Sequence, residues 1–204
     1  MPKRFGYPRN EASRRDKVAQ HEIITKWGRD IKSRNDIILS VGLEPPSGNA
    51  GENLLRFSEQ FDNVLWTKGA PTTISADTSE VTDPKGGNNA DKINDAGGSL
   101  YQGSIAVEPL TEYTVSFYAR GATVDPAASF TINQYDETGS AFFGEGTVVE
   151  LTSSWQRFTK TITTVADQVA LRFYLNRSGA AGDAYVFGAQ VEIGPIATVY
   201  SMTV

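Results

Sequence analysis

Apolar and polar residues alternate with period two through most of the second half of this chain, and that alternation restricts the fold more than any other feature. In TEYTVSFYAR (111–120), Tyr113, Val115, Phe117 and Ala119 project to one side while Thr114, Ser116, Tyr118 and Arg120 project to the other, the pattern of a strand with one face on a core. It returns in ASFTINQY (Phe130, Ile132, Gln134), in RFTKTIT (Phe158, Ile162), in ALRFYLN (Leu171, Phe173, Leu175) and in AYVFGAQVEI (Val186, then Ala189 or Val191 depending on a bulge at Gly188). The clusters DPKGGNN, NDAGG, ARGATVDP, DETGS, LTSS and NRSGAAGD separate the runs and supply turns. At least seven short strands with no helical period between them predict an antiparallel sandwich or jelly roll.

Ahead of these strands, NLLRFSEQFDNVLWTKGA (53–70) places Leu54, Leu55, Phe57, Phe61, Leu65 and Trp66 among acids and amides. A pair of sheets needs its edges closed, and Phe57, Phe61, Leu65 and Trp66 are expected to close one of them. Trp155 is expected to be a core or lid residue as well. The chain has no cysteine, which excludes a disulfide scaffold and thiolate zinc sites. No run of 18 apolar residues is present, so no membrane insertion is expected. No apolar run follows Lys3 and Arg4, so no secretory signal is expected.

Charge divides the chain. Residues 1–45 carry ten Lys/Arg and six Asp/Glu, whereas residues 46–204 carry nine and eighteen, as two parts with different partners would. EPPSGNAGEN marks the join, with a linker over 46–52. The first part reads as a proline-free helix from Asn10, its N-cap, to about Val41. Ile24, Trp27, Ile31, Ile38 and Val41 form a heptad stripe broken only by Arg34. That stripe packs within its own subunit or joins copies of itself, a trimer being the first choice. Acids interleave with the bases, so the helix makes a poor phosphate stripe and no nucleic acid is expected as partner.

Catalysis is not expected. Glycosidic hydrolysis needs two positioned carboxylates, one held protonated, and the acids fall mostly in turn clusters: Asp83, Asp91, Asp95, Asp125, Asp136, Glu137 and Asp183. The one histidine, His21, lies in the basic helix, away from the strand region.

The order NLL, SEQFDN, VLWTK, ADKIND, TEYTVSFYAR, SSWQRFTKTIT and FGAQVEIGPIATVY resembles the carbohydrate-binding-module-like jelly rolls of bacteriophage virion proteins and of some secreted glycan-active enzymes. The resemblance spans about residues 53–200. It implies a mainly β, antiparallel jelly-roll β-sandwich over 53–204, here preceded by a short N-terminal helical anchor, with residues 53–66 and 185–200 near one another. It also implies a virion location and binding of host surface polysaccharide; the alternatives are a module of a secreted glycan-active enzyme and a capsid-cementing protein without glycan binding. The resemblance does not reach residues 1–45, where the charge division and the stripe of Ile24, Trp27, Ile31, Ile38 and Val41 suggest anchorage to other phage capsid or tail proteins. Jelly rolls of this kind often hold a structural calcium between the first segment and the last strand, where Glu52, Asn53, Gln190 and Glu192 offer oxygens; no other cofactor is implied.

Sugar binding needs flat apolar faces for C–H contacts and planar polar groups for hydroxyls. Tyr101, Tyr118, Tyr135, Phe142, Phe143 and Tyr174 are candidates for the first role, and Gln102, Asn133, Gln134, Arg172 and Asn176 for the second. Tyr118, Arg172, Tyr174, Asn176 and Tyr135 are the selected set, Tyr118, Arg172 and Tyr174 first, because Phe117, Phe173 and Leu175 already claim the inward face.

Overall fold

The computed structural model describes residues 51–94, 97–122, 128–179 and 183–204, all within the unit Pro45–Val204. The expected helix, with Ile24, Trp27, Ile31, Ile38, Val41 and His21, lies outside the described residues. Eleven strands are present among those described: β1 (Trp66–Gly69), β2 (Thr73–Ser75), β3 (Asp91–Asn94), β4 (Ser99–Ala106), β5 (Glu112–Gly121), β6 (Ala128–Asp136), β7 (Ala141–Phe142), β8 (Thr147–Glu150), β9 (Gln156–Thr163), β10 (Ala170–Gly179) and β11 (Ala184–Ile193).

All pairings are antiparallel. Sheet A runs β1-β4-β10-β6-β7, with β8 also on β6, and sheet B runs β2-β3-β11-β5-β9. The inward residues of both sheets make one core. Tyr113, Phe117 and Ala119 are fully buried and Val115 nearly so, opposite Phe130, Ile132, Leu171, Phe173 and Leu175. Phe117 packs edge-on against Phe130 at 5.8 Å between ring centres, so the alternation read in the sequence is the alternation that fills the sandwich.

The segment before β1 closes one edge of the core. Trp66, Phe61 and Leu55 are buried, Phe61 and Trp66 lie 4.8 Å apart, and the Trp66 indole N–H donates to the Phe57 carbonyl at 3.0 Å. Leu65 departs from the expectation. It is 41% exposed, because β1 begins at Trp66 and its immediate neighbour points the other way. Trp155 is half-buried and donates to the Thr82 carbonyl at 2.8 Å, which ties the β2–β3 connection to the turn before β9.

The first segment and the last strand meet, as the resemblance implies: the Leu54 N–H donates to Val191 O, and the Ala189 N–H to Ser58 O. The bulge falls where glycine allows it. Register shifts between Phe187 and Gln190, and Gly188 adopts φ +60° with a Tyr200 ring carbon 3.1 Å from where a Cβ would stand.

The outward face of sheet B is not the solvated face that alternation alone suggests. Thr114 and Ser116 are buried because the chain after β11 returns over them. Thr114 Oγ1 donates to Gly194 O, and Arg157 donates to both Thr198 O and Ser116 Oγ. Asp91 is likewise no turn acid. It sits on β3, 1% exposed, where its carboxylate accepts from the N–H groups of Phe61 (2.7 Å) and Asp77 (2.9 Å), and burial pushes it up to about 6.

Candidate functional site

The outward face of sheet A stays open, and register lines its side chains up in rows across the strands. Thr67, Tyr101, Tyr174 and Asn133 are successive partners across β1, β4, β10 and β6. One pleat further on, Arg172 faces Tyr135, which faces Phe142 on β7. One pleat the other way, Ser99, Asn176, Thr131 and Val148 follow one another. The rings touch: Tyr101–Tyr174 at 4.5 Å, Tyr174–Phe142 at 5.4 Å and Tyr135–Phe142 at 5.1 Å. Phe142 is 59% exposed and the three tyrosines are half-buried, so apolar rings that no core requires remain within reach of solvent.

Arg172 organises this surface. Its guanidinium carbon lies 4.7 Å from the centre of the Tyr101 ring and 5.1 Å from that of Tyr135, within the range where the ring quadrupole attracts a cation. Nη1 donates to the Tyr174 hydroxyl at 3.1 Å, while Nε and Nη2 both donate to Glu137 Oε1 at 2.8 and 2.6 Å. The Tyr174 hydroxyl first, and Glu137 after burial's opposing effect, hold the guanidinium more firmly protonated than usual. Glu137 Oε2 accepts from the Ser104 N–H at 2.6 Å.

Ser104 adopts φ +55°, and register between β10 and β4 slips at this place. Gly103 beside it is required by the close approach of the ion pair: a Cβ there would stand 2.6 Å from Glu137 Oε1 and 3.1 Å from Arg172 Nε. This bulge therefore seats the pair on the strand instead of letting it swing in solvent.

Beside the rings lies a cleft of about 410 Å³, within the range of small-ligand sites. Tyr101, Gly103, Glu137 and Arg172 are among the residues that line it, together with Leu54, Arg56, Val64, Leu65 and Thr67. Leu65, read from sequence as a core residue, thus belongs to the cleft.

Of the sequence-selected residues, Arg172, Tyr174, Asn176 and Tyr135 come together on this face. Asn176 keeps its Oδ1 buried without a hydrogen-bond partner among the described residues. Tyr118 is separated from them. It lies on the outward face of sheet B, 6.2 Å from Phe187 and 6.4 Å from Tyr200, with Arg157 over its ring. With Phe117 inward, Tyr118 does take the outward side of its strand, but outward on sheet B is the opposite surface of the sandwich from outward on sheet A.

Gln102 and Gln134 are buried on the inward side: Gln102 clamps the Arg56 backbone through both its oxygen (2.8 Å) and nitrogen (2.7 Å), and Gln134 donates to Phe143 O and accepts from Lys160 at 2.7 Å. Glu137, Gly103, Arg56 and Leu65 were not selected from the sequence. The available signal was a glycine inside a strand-forming run, which marks a bulge or a close approach.

Among the calcium candidates, Asn53, Gln190 and Glu192 meet and Glu52 is exposed. Asn53 Oδ1 accepts from the Leu55 and Val191 N–H groups at 3.1 Å each, and Gln190 Oε1 from Ser201 N–H at 2.9 Å. The Glu192 carboxylate accepts from the Thr198 N–H (2.9 Å), the Thr198 hydroxyl (2.6 Å) and Gln190 Nε2 (2.8 Å). These oxygens face N–H and O–H donors and tie the first segment, β11 and residues 198–201 together as a hydrogen-bonded lock. No group of three His, Cys, Asp or Glu able to hold a metal occurs among the described residues, and no helix among them is long and apolar enough to cross a membrane.

The sequence profile of a family described as carbohydrate binding domain matches residues 56–181. No curated protein matches the sequence. Among solved structures, the CBM22-1 xylan-binding domain of Paenibacillus barcinonensis Xyn10C is similar at 15% identity and TM-score 0.53, over 74% of this chain and 100% of that one. The CBM22-1–GH10 modules of Clostridium thermocellum xylanase 10B, complexed with xylohexaose, are similar at 12% identity and TM-score 0.55, over 72% and 29%. The enzymatically active domain of bacteriophage CBA120 tailspike protein 4 is similar at 14% identity and TM-score 0.54, over 69% of this chain; the match spans only 21% of the tailspike chain. At these identities the structures speak for the fold alone, but the profile covers more than half of the sequence, and the chain belongs to the carbohydrate binding domain family.

Proposed function

We propose that the chain is a non-catalytic jelly-roll module that binds polysaccharide on the open face of sheet A. The observation that carries this reading is the set of solvent-accessible rings of Tyr101, Tyr174, Tyr135 and Phe142 gathered by strand register around Arg172. Sugar rings stack their C–H faces on such surfaces, while Asn133, Asn176, Thr67 and the guanidinium supply directional hydrogen bonds to hydroxyls. Because the xylan-binding domain and the xylohexaose complex are among the similar folds, β-1,4-linked xylan is the first polymer to try. Calorimetric titration against a panel of polysaccharides tests the reading. Tyr174→Ala should weaken binding by about tenfold or more while leaving the thermal midpoint within a few degrees. Unchanged affinity in that variant would place the site elsewhere.

The relatives favour a module of a glycan-active protein. Display on a virion is the second reading, supported by the likeness to a phage tailspike domain and by the basic balance of residues 1–45. In that reading Ile24, Trp27, Ile31, Ile38 and Val41 seat the chain on a capsid or tail, or join three copies. Light scattering tests the trimer, and a monomeric mass at micromolar concentration would remove it.

A further inference from the structure

We infer that the cleft selects an anionic glycan, one whose sugar carboxylates meet Arg56 and Arg172; the inference rests on the glycan-binding reading above. Residues 46–204 hold twice as many acids as bases, so a site chosen at random on this unit would repel a polyanion. The cleft is the reverse. Arg56 and Arg172 line it, and the one acid lining it is Glu137.

That acid is fully engaged. Its Oε1 accepts two bonds from Arg172 and its Oε2 the Ser104 N–H, which leaves the charge of Arg56 unbalanced in the cleft. The backbone N–H and carbonyl of Arg56 are fixed by the Gln102 side chain, so the residue is anchored at its main chain. Its exposed guanidinium makes no hydrogen bond or ion pair among the described residues. An unpaired cation on a pinned backbone, lining a cleft beside the exposed rings, has the makings of a carboxylate receptor.

Arg172 complements it. Three of its N–H groups go to Glu137 and Tyr174, and a guanidinium has five. The two that remain belong to the terminal nitrogens of a group held over the rings of Tyr101 and Tyr135. A sugar that stacks beside them and carries a carboxylate would receive those donors and the field of Arg56 together. A neutral sugar would use the rings but leave the Arg56 charge unmatched.

Matched polymers separate the two cases: polygalacturonate against its methyl ester, and glucuronoxylan against unsubstituted xylan, titrated calorimetrically against the full chain. The acidic member of a pair should bind about tenfold more tightly at low salt, the scale of a charge-assisted hydrogen bond. That preference should shrink at high ionic strength. Arg56→Gln should bring the ratio toward one, and Arg56→Lys should restore much of it. A ratio at or below one in the wild type overturns the inference while leaving glycan binding intact, and so does a ratio that Arg56→Gln does not move. Failure of every polymer, acidic and neutral, removes the binding reading itself. Equal affinity for dextran sulfate and for the preferred polyuronate would replace carboxylate recognition by simple ion exchange and overturn the inference too.

Discussion

The two outer faces of the sandwich are built from similar materials and end in opposite states. Sheet A displays Tyr101, Tyr135 and Tyr174 around Arg172, with one acid, Glu137, holding the cation. Sheet B presents Tyr118 and Phe187 beneath Tyr200 of the segment after β11, with Lys85 over Tyr200 at 4.5 Å, Arg157 over Tyr118 at 5.5 Å, and Glu59 holding Lys85 at 3.3 Å. On sheet B the chain covers its own aromatics. Tyr200 is 8% exposed and Phe187 1%, the Tyr200 hydroxyl bonds Ser58 at 2.7 Å, and burial pushes that phenol well above its usual range. Sheet A has no such cover among the described residues. Aromatic rings beside arginine therefore do not define a binding surface; what decides is whether another segment has already taken the contact.

The largest effect expected from this contrast is on stability. Trp66→Ala removes a fully buried indole and its bond to Phe57 O, and should cost about 3–5 kcal/mol. Tyr200→Ala on the covered face should cost about 3 kcal/mol by the same loss of buried ring. Chemical denaturation measures both. If Tyr200→Ala left stability unchanged and abolished glycan binding, the roles of the two faces would be reversed.

A smaller effect belongs to Asp91, which ties the lead-in segment to β3. Its folded value of about 6 stands above the ordinary carboxylate value. The folded chain thus keeps this proton where the unfolded chain has lost it. The stability it contributes is full below about pH 4 and is lost as pH rises through about 6, by up to about 3 kcal/mol. Asp62 and Asp77 act in the same direction as burial. Asp83 and Glu80, shifted downward, act oppositely at the acid end, Glu80 up to about pH 4.5, so it is the loss between about 5 and 6 that reports Asp91. Thermal midpoints should fall across that window in the wild type, and the slope should flatten in Asp91→Asn. A slope that survives the substitution would assign it to other groups.

The inward faces were legible in the sequence because a strand's period is two and the buried set is apolar: Phe130, Ile132, Leu171, Phe173 and Leu175 declare themselves. Which sheet a strand joins was not legible. Tyr118 and Tyr174 occupy equivalent places in their own strands, TVSFYAR and ALRFYLN, and only the pairing of β5 with β11 and of β10 with β4 puts them on opposite surfaces. Glu137 was hidden for a related reason. A turn acid in DETGS looks solvated until the neighbouring strand brings Arg172 and the Gly103 bulge beneath it. Leu65 was misplaced because a turn before β1, and no local periodicity, determines which of two adjacent bulky residues goes inward.

Sheet order gives a further prediction that separates the faces by function. Tyr118→Ala should leave affinity for any glycan within about twofold, since the ring is shared between Phe187, Tyr200 and Arg157, whereas Tyr174→Ala should not. Titration of the two variants side by side decides it. Equal losses would mean that the strap over sheet B opens to ligand.

The smallest effect expected is that of calcium, and it bears on why the covered face stays covered. Asn53, Gln190 and Glu192 lie where the first segment, β11 and residues 198–201 converge. A hard cation at this place would need several oxygens turned toward one point. Here Glu192 is the single buried carboxylate of the three, and its oxygens accept from Thr198 and Gln190, while Asn53 Nδ2 donates to Ala189 O and Ser201 O at 2.9 Å each. Seating an ion would replace several of these bonds, and each buried donor left without a partner would cost about 1–3 kcal/mol. Millimolar calcium, or chelation after purification, should therefore move the thermal midpoint by less than about 1 °C, and Glu192→Gln should lower it under both conditions alike. A calcium-dependent rise of several degrees that Glu192→Gln abolishes would show that the lock is a cation site, and that the strap over sheet B is held by metal instead of by the chain's own donors.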